Sequence, residues 1–362
     1  MSQSGARSDV GRVRRTNQDA GYAGEYLFAV ADGMGGHAGG DVASHITINH
    51  IAELDREFDT IEAARDAVRA RMLEANAMLI KVVDDYPQLA GLGTTLSVIL
   101  RVGSQAVIAH IGDSRVYRLR DKDLVQLTQD HTFVQRLIDT GQITPEEAAV
   151  HPRRSVLMRV LGDVDASPTI DVDIIPLQTN DVFMLCSDGL TGVVPDEDIH
   201  TVLSKQAAPQ TLANELVTRS LAEGAPDNVT VVVARDLETT TAKATKIIGS
   251  ASGENPLRSL PSTSSNTIEV PRAKSLSLPV HTGGLPIAQL DAEAAAEESR
   301  IATGRKRVFL GLLIAIVIVA IVVGIIIYTV STGHTTLAGF WSEATSRADA
   351  LALHPWLVSS VA

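Results

Sequence analysis

Residues 94–127 read TTLSVILRVGSQAVIAHIGDSRVYRLRDKDLVQL, and how this run pairs decides the fold. It divides into TTLSVILR, QAVIAHI, SRVYRLR and DLVQL, separated by Gly103, by Gly112-Asp113 and by Asp121-Lys122. Each segment is apolar and rich in β-branched residues, so each reads as a strand. Parallel pairing needs a crossover of about a dozen residues, which breaks this short cannot supply, so successive strands run antiparallel. Helices precede and follow. In 60–85, Ile61, Ala64, Val68, Met72, Ala75, Leu79 and Val82 recur at helical spacing, and 39–54 and 210–223 read as helices too, the last stopped by Gly224. An antiparallel sheet with helices before and after it is an α+β fold, not a doubly wound α/β one.

Between these strands and the later ones, 132–163 reads as a helical insertion. Thr144-Pro145-Glu146-Glu147 is its clearest signal, with Thr144 as cap, Pro145 in the first helical position and Glu147 closing a capping box. Insertions of this kind often border active sites.

Composition narrows the chemistry. The 362 residues are 45% apolar and carry a formal charge of -12, which excludes a nucleic-acid binder, since that needs a basic face. One cysteine, Cys186, excludes a disulfide framework or cysteine-rich zinc site; it ends the apolar run VFMLC and reads as a core thiol. Residues 237–307, rich in Ser, Thr, Ala and Pro, read as a flexible cytoplasmic linker. Residues 308–330, VFLGLLIAIVIVAIVVGIIIYTV, hold no charge; as a helix of about 35 Å they would cross a bilayer core of about 30 Å. Arg300, Arg305, Lys306 and Arg307 precede the span, whereas Arg347 is the only Lys or Arg in 331–362. The positive flank places the larger part in the cytoplasm, with a short outer tail at 331–362. The expected location is therefore the cell membrane, crossed once.

Aspartates mark the strand boundaries. Asp32 and Asp188 each follow an apolar strand and precede glycine, Asp19 ends NQD, and Asp227 opens DNVT before VTVVVA. Any single Asp-Gly is ordinary turn chemistry. Antiparallel strands, however, bring all these ends to one pole of a sheet, where two carboxylates about 4 Å apart repel by about 4 kcal/mol at an effective dielectric near 20. A cation must offset this. All candidate ligands are oxygens, which selects Mg²⁺ or Mn²⁺ over Zn²⁺.

With these residues in view, a resemblance emerges. SDVGRVRRTNQDA (8–20), ADGMGGHAGG (31–40), GTTLSVIL (93–100), IGDSRVYRLR (111–120), LTQDHTFVQ (127–135), CSDGL (186–190) and DNVT (227–230) resemble, in order, the motif series of the metal-dependent protein phosphatases (PPM, type 2C). The bacterial, membrane-anchored subgroup is the nearest match. The resemblance covers residues 6–236 and implies two stacked antiparallel sheets flanked by helices, an αββα sandwich. It implies a protein serine/threonine phosphatase that uses two or three Mn²⁺ or Mg²⁺ ions and metal-activated water on phosphoserine and phosphothreonine proteins, opposing a serine/threonine kinase. Carried over by position, Asp32 would bridge two metals, the Gly33 carbonyl would bind the second, Asp188 and Asp227 would complete the first, and Asp19 would act at the second. Asp113 with Asp188 would hold a third metal. Arg14 would grip the phosphate, with Arg12 and Arg15 on the surface, and His37 is the candidate general acid. Gln18 stands where some members have Glu, leaving one negative charge fewer. Residues 141–163 match the variable flap near substrate, and His131 would stabilise a turn on that side.

Three other readings have partial support in the residues. Gly33-Met34-Gly35-Gly36-His37-Ala38 fits the G-x-G-x-x-A pattern of a dinucleotide loop, but the acidic residue about 20 positions on, Glu53, falls in a helical run, and Asp32 would repel pyrophosphate. Asp121-Lys122-Asp123-Leu124-Val125 fits the D-x-D-x-V of aspartate-nucleophile phosphatases, yet reads as a hairpin turn. The third is a membrane-tethered binding module with a catalytically silent metal site.

Overall fold

The computed structural model describes residues 4–162, 167–237 and 245–259. The first strands are Ser4–Asp9 (β1), Asp19–Ala23 (β2) and Leu27–Met34 (β3), followed by helices Gly36–Ile51 (α1) and Ile61–Asp85 (α2). Gly93–Thr94 (β4), Leu96–Val102 (β5), Gln105–Ile111 (β6), Arg115–Arg120 (β7) and Asp123–Gln126 (β8) come next. After the short helices Phe133–Asp139 (α3) and Pro145–Ala149 (α4) come Asp171–Pro176 (β9) and Val182–Cys186 (β10). Asp188–Thr191 (α5), Asp196–Leu203 (α6), Pro209–Ala222 (α7), Val229–Arg235 (β11) and Lys246–Gly249 (β12) complete the described α-helices and strands.

The strands expected in 94–127 form, and they divide between two sheets. One sheet has the order β1-β11-β10-β7-β8; the other runs β12-β2-β3-β5-β6-β9, with β4 beside β3. Every paired neighbour is antiparallel. The chain leaves one sheet for the other at Gly112–Ser114, where Gly112 has φ 108°, a conformation that favours glycine.

Strand alternation builds three cores from these two sheets. Phe28 and Val30 of β3 face Phe183 and Leu185 of β10 and Val232 of β11 in the layer between the sheets. Their neighbours Leu27, Ala29 and Ala31 point the other way, onto Met72 and Leu79 of α2. On the far side, Val182, Met184 and Cys186 pack with Leu212 and Leu216 of α7. A period of two therefore serves both faces of each sheet, which is why these strands are apolar throughout. Burial pushes the Cys186 thiol up to about 12, in keeping with a core residue.

Helix boundaries follow their caps. The Thr60 hydroxyl accepts from the Ala63 N–H to start α2, and Thr144 and Glu147 form the expected capping box on α4. A Thr132↔Leu157 bridge then closes the insertion on itself, and a Thr94↔Leu161 bridge ties it to the body. Asp121 and Lys122, both at positive φ, form the two-residue hairpin joining β7 to β8, so the D-x-D-x-V match is a turn. Glu53 lies in a 3-10 turn and pairs with Arg71, away from any dinucleotide position.

The expected linker boundary requires correction. Lys246–Gly249 pairs with β2 as an edge strand, so the folded unit runs beyond residue 236. Only two apolar residues, Ile247 and Ile248, mark this strand, too few to stand out within a Ser- and Thr-rich segment. Among the described residues no helix is long and apolar enough to cross a membrane. The span expected at 308–330, the rest of the linker and the tail at 331–362 lie outside those residues.

Candidate active site

The register of β2 against β3 sets Asp19 directly opposite Asp32, at the pole where both strands end. Asp32 is fixed by its backbone: its N–H donates to Thr95 Oγ1 and its carbonyl accepts from the Thr94 hydroxyl, each at 2.9 Å. Asp188 opens α5 with only Ser187 between it and β10, and Asp227 lies two residues before the start of β11. Neither glycine of the two Asp-Gly pairs is a turn glycine. A Cβ on Gly33 would lie 1.9 Å from the Gly40 carbonyl oxygen, and one on Gly189 would lie 1.9 Å from that of Asn228. Both are glycine because another backbone presses against them, and this close packing draws Asp32 toward α1 and Asp188 toward the Asp227 segment.

The result is a cleft of about 650 Å³ whose walls include Arg14, Gly33, Asp32, Asp113, Asp188 and Asp227. Asp19 lies beneath it, fully buried; Ser187 Oγ donates to its Oδ2 at 2.6 Å. The other oxygen, Asp19 Oδ1, is buried with no hydrogen-bond partner among the described residues, and so is Asp188 Oδ1. Burial raises Asp19 to about 7 against the Ser187 and Thr230 hydrogen bonds, and the charges of Asp188 and Asp227 raise it further. Burial lifts Asp113 to about 8, with the field of Asp188 next in weight. Asp32 is held well above the ordinary carboxylate range by withdrawal from water, then by Asp19, Asp188, Asp113 and Asp227. Asp188 is raised by the same withdrawal and then by Asp227. At the mouth, half-exposed Arg14 donates through Nη2 to Asp227 Oδ2 at 2.7 Å.

Among the described residues no three His, Cys, Asp or Glu side chains already stand as a finished ligand set. The cleft nevertheless fits a hard divalent cation. Two buried carboxylate oxygens lack any donor among the described residues, five mutually repelling carboxyl groups share one field, and every candidate ligand is oxygen. His37 lies in the first turn of α1, and its side chain is outside the described residues.

The model of one protein family, described as Protein phosphatase 2C, matches residues 12–224, more than half of the chain. The chain belongs to the protein phosphatase 2C family. The serine/threonine protein phosphatase PstP of Mycobacterium tuberculosis (strain H37Rv) is 44% identical over 262 residues, 71% of this chain and 50% of that protein. This chain thus spans half the length of that relative. The serine/threonine phosphatase stp of Listeria monocytogenes (strain EGD-e) is 38% identical over 240 residues, 64% of this chain and 95% of its own. A crystal structure of the M. tuberculosis enzyme superposes with a TM-score of 0.60 at 46% identity, covering 65% of this chain and 98% of that one. A second, of the PstP catalytic domain in complex with two manganese ions, gives 0.58 at 44% identity, covering 64% and 96%.

Six of the seven quoted motifs line one cleft, all but 127–135, together with residues whose part the sequence did not show. Thr95 Oγ1 holds the Asp32 backbone and pairs with Ser114 Oγ at 2.7 Å. Asn228 Oδ1 accepts the Gln18 N–H while its amide donates to the Val10 and Thr16 carbonyls, fixing the loop that carries Arg14. Both residues lie inside quoted motifs, GTT and DNVT, so position was the signal and hydrogen bonding the missing step. Arg15 is exposed, as expected, and also lines the mouth of the cleft, as do Ser155 and Leu157 of the insertion. His131 does more than hold a turn. Its Nδ1 accepts the Gly112 N–H at 3.1 Å and its Nε2 donates to Asp171 at 2.9 Å, joining the Asp113 loop to β9.

Proposed function

We propose that this chain hydrolyses phosphoserine and phosphothreonine in proteins at a divalent-metal centre in the aspartate cleft. The observation that carries this reading is the pair of buried, unpartnered oxygens on Asp19 and Asp188 beside Asp32 and Asp227, with an arginine at the mouth. Asp32, the Gly33 carbonyl, Asp188, Asp227 and Asp19 would hold two ions, and Asp113 with Asp188 a third; the manganese-bound relative supports two at least. When bound, Mn²⁺ or Mg²⁺ supplies Lewis acidity that activates water and offsets phosphoryl charge.

The chain's own residues do the rest. Asp227 orients Arg14 through one nitrogen, leaving further guanidinium donors to clamp two phosphate oxygens. Thr94, Thr95 and Asn228 hold the Asp32 and Gln18 backbones so that the ligands need little reorganisation. His37, at the start of α1, is the candidate to protonate the leaving serine or threonine oxygen.

Around this centre, the uncharged stretch at 308–330 with its basic flank supports a single membrane span, a cytoplasmic catalytic unit and contact with membrane lipid. A serine/threonine kinase and its substrates are the natural phosphoprotein partners. The test is phosphate release from a phosphothreonine peptide by the full chain with Mn²⁺ or with EDTA. Activity that persists in EDTA, or in Asp32→Asn combined with Asp188→Asn, overturns the metal reading. For topology, protease added outside intact cells should leave the catalytic unit uncut; its digestion there would reverse the orientation.

A further inference from the structure

A segment that composition assigns to the linker sits directly behind the metal side of the cleft. We propose that residues 246–252 form a clasp that positions Asp19 and Gly33 from the rear, so that the catalytic site is complete only with the first part of the linker in place. This rests on the metal-centre reading above.

The contacts are specific. β12 pairs with β2 so that Gly249 lies opposite Ala20, next to Asp19. Gly249 has φ +69°, and a Cβ there would lie 2.2 Å from the Asp19 carbonyl oxygen. Only glycine permits this approach. One residue on, Ser250 Oγ lies 2.7 Å from Ser44 Oγ. The Ser44 hydroxyl donates to the Gln18 carbonyl, and the same carbonyl accepts the Gly33 N–H at 3.2 Å. A hydroxyl has one proton, so with that of Ser44 on Gln18, Ser250 is the donor to Ser44. His45 Nδ1 then donates to the Ser250 carbonyl at 3.1 Å. Buried Ile248 and Ala251 anchor the segment in two of the cores. Apolar anchors thus hold the clasp, while its polar atoms and one glycine touch the backbone that presents Asp19 and Gly33. Groups standing behind metal ligands in this way commonly set metal affinity by fixing ligand geometry.

The test is direct Mn²⁺ binding to the full chain, read from the electron paramagnetic resonance of free Mn²⁺ alongside thermal unfolding. Gly249→Val should weaken Mn²⁺ binding about tenfold or more. Ser250→Ala should weaken it about threefold, the worth of one hydrogen bond, and Ser250→Thr should restore it. Unchanged Mn²⁺ affinity in Gly249→Val and Ser250→Ala overturns the clasp. If Gly249→Val does not fold, the contrast between Ser250→Ala and Ser250→Thr decides alone, and equal affinity in those two overturns it. A wild-type chain that binds no Mn²⁺ overturns the metal centre itself, whereas a binding wild type with indifferent variants overturns only the clasp.

Discussion

Two sets of carboxylates in this protein have opposite surroundings. Asp181, 1% exposed in its side chain, takes two 2.7 Å bonds from Arg120 and the Gln178 N–H at 2.9 Å. Asp55 is similarly closed, accepting the N–H groups of Glu25, Tyr26 and Leu27 and the Tyr22 hydroxyl. Asp19 and Asp188, in contrast, each keep a buried oxygen without a donor, in the field of further aspartates. Burial alone does not distinguish the sets. What differs is whether the protein supplies the countercharge, and a fold that closes carboxylates so thoroughly at Asp55 and Asp181 leaves the others open for a cation.

The largest effect should come from removing an open carboxylate. Asp32→Asn should lower phosphopeptide turnover at fixed Mn²⁺ by roughly 10³-fold, since metal-based charge stabilisation is worth several kcal/mol. The same change removes like-charge repulsion, so the metal-free variant should unfold at a higher temperature than metal-free wild type. A variant both inactive and less stable without metal would break the contrast between open and closed sites.

Removing a closed carboxylate should do the reverse. Asp181→Ala strands the Arg120 guanidinium, itself only 18% exposed, and should cost about 3 kcal/mol in urea unfolding, with Mn²⁺ affinity unchanged. Stability within about 0.5 kcal/mol of wild type would show that Asp181 is not a structural partner in the sense argued.

Arg14 stands between the two kinds. Its bond to Asp227 is half-exposed, so Arg14→Ala should change stability by less than about 1 kcal/mol. Against substrate it should matter more, with kcat/KM for a phosphothreonine peptide falling about 10- to 100-fold, as for loss of a charge-assisted hydrogen bond. A loss in stability larger than the loss in kcat/KM would move Arg14 to the structural set.

Much of this was legible in the residues. The short breaks at Gly103 and Asp121-Lys122 fixed antiparallel pairing, the Thr144 cap located α4, and the Asp-Gly pairs marked the cleft. The reason for those glycines was not legible, because Gly33 meets Gly40 and Gly189 meets Asn228 only across the fold. The partition of β6 and β7 into different sheets was hidden for the same reason: a sharp turn at Gly112 reads alike whether the next strand returns or departs. β12 escaped notice because its stability comes from pairing with β2 and from the Ala251 anchor, not from its own hydrophobic pattern. Asp19 is marked in sequence by its place in NQD, whereas the closure of Asp55 is set only by tertiary hydrogen bonds from Tyr22, Glu25, Tyr26 and Leu27.

The smallest effect concerns pH. In the metal-free fold Asp19 titrates near 7 and Asp113 near 8, whereas an unfolded aspartate titrates near 3.9. Between those values the native state holds more protons than the unfolded one, so its stability falls as pH rises and the loss completes only above the folded values. His110, lowered to about 3, and His131, also lowered, act in the opposite sense, because an unfolded histidine takes up its proton near 6.5 while the buried ones resist. Their contribution is finished above about pH 7, which leaves about pH 7 to 8 as the window in which the aspartates dominate, below the range where an unfolded Cys186 thiol ionises. There the metal-free chain should lose a few degrees in Tm, at about 3 °C per kcal/mol for a fold of this size. With saturating Mn²⁺ the slope should vanish or reverse, because a cation binds the deprotonated ligands and releases their protons. Asp181→Ala should keep the metal-free slope and Asp188→Asn should flatten it, since only the second removes a charge that raises Asp19 and Asp113. A metal-free Tm that rises across this window in wild type would show that the open carboxylates are already compensated within the protein.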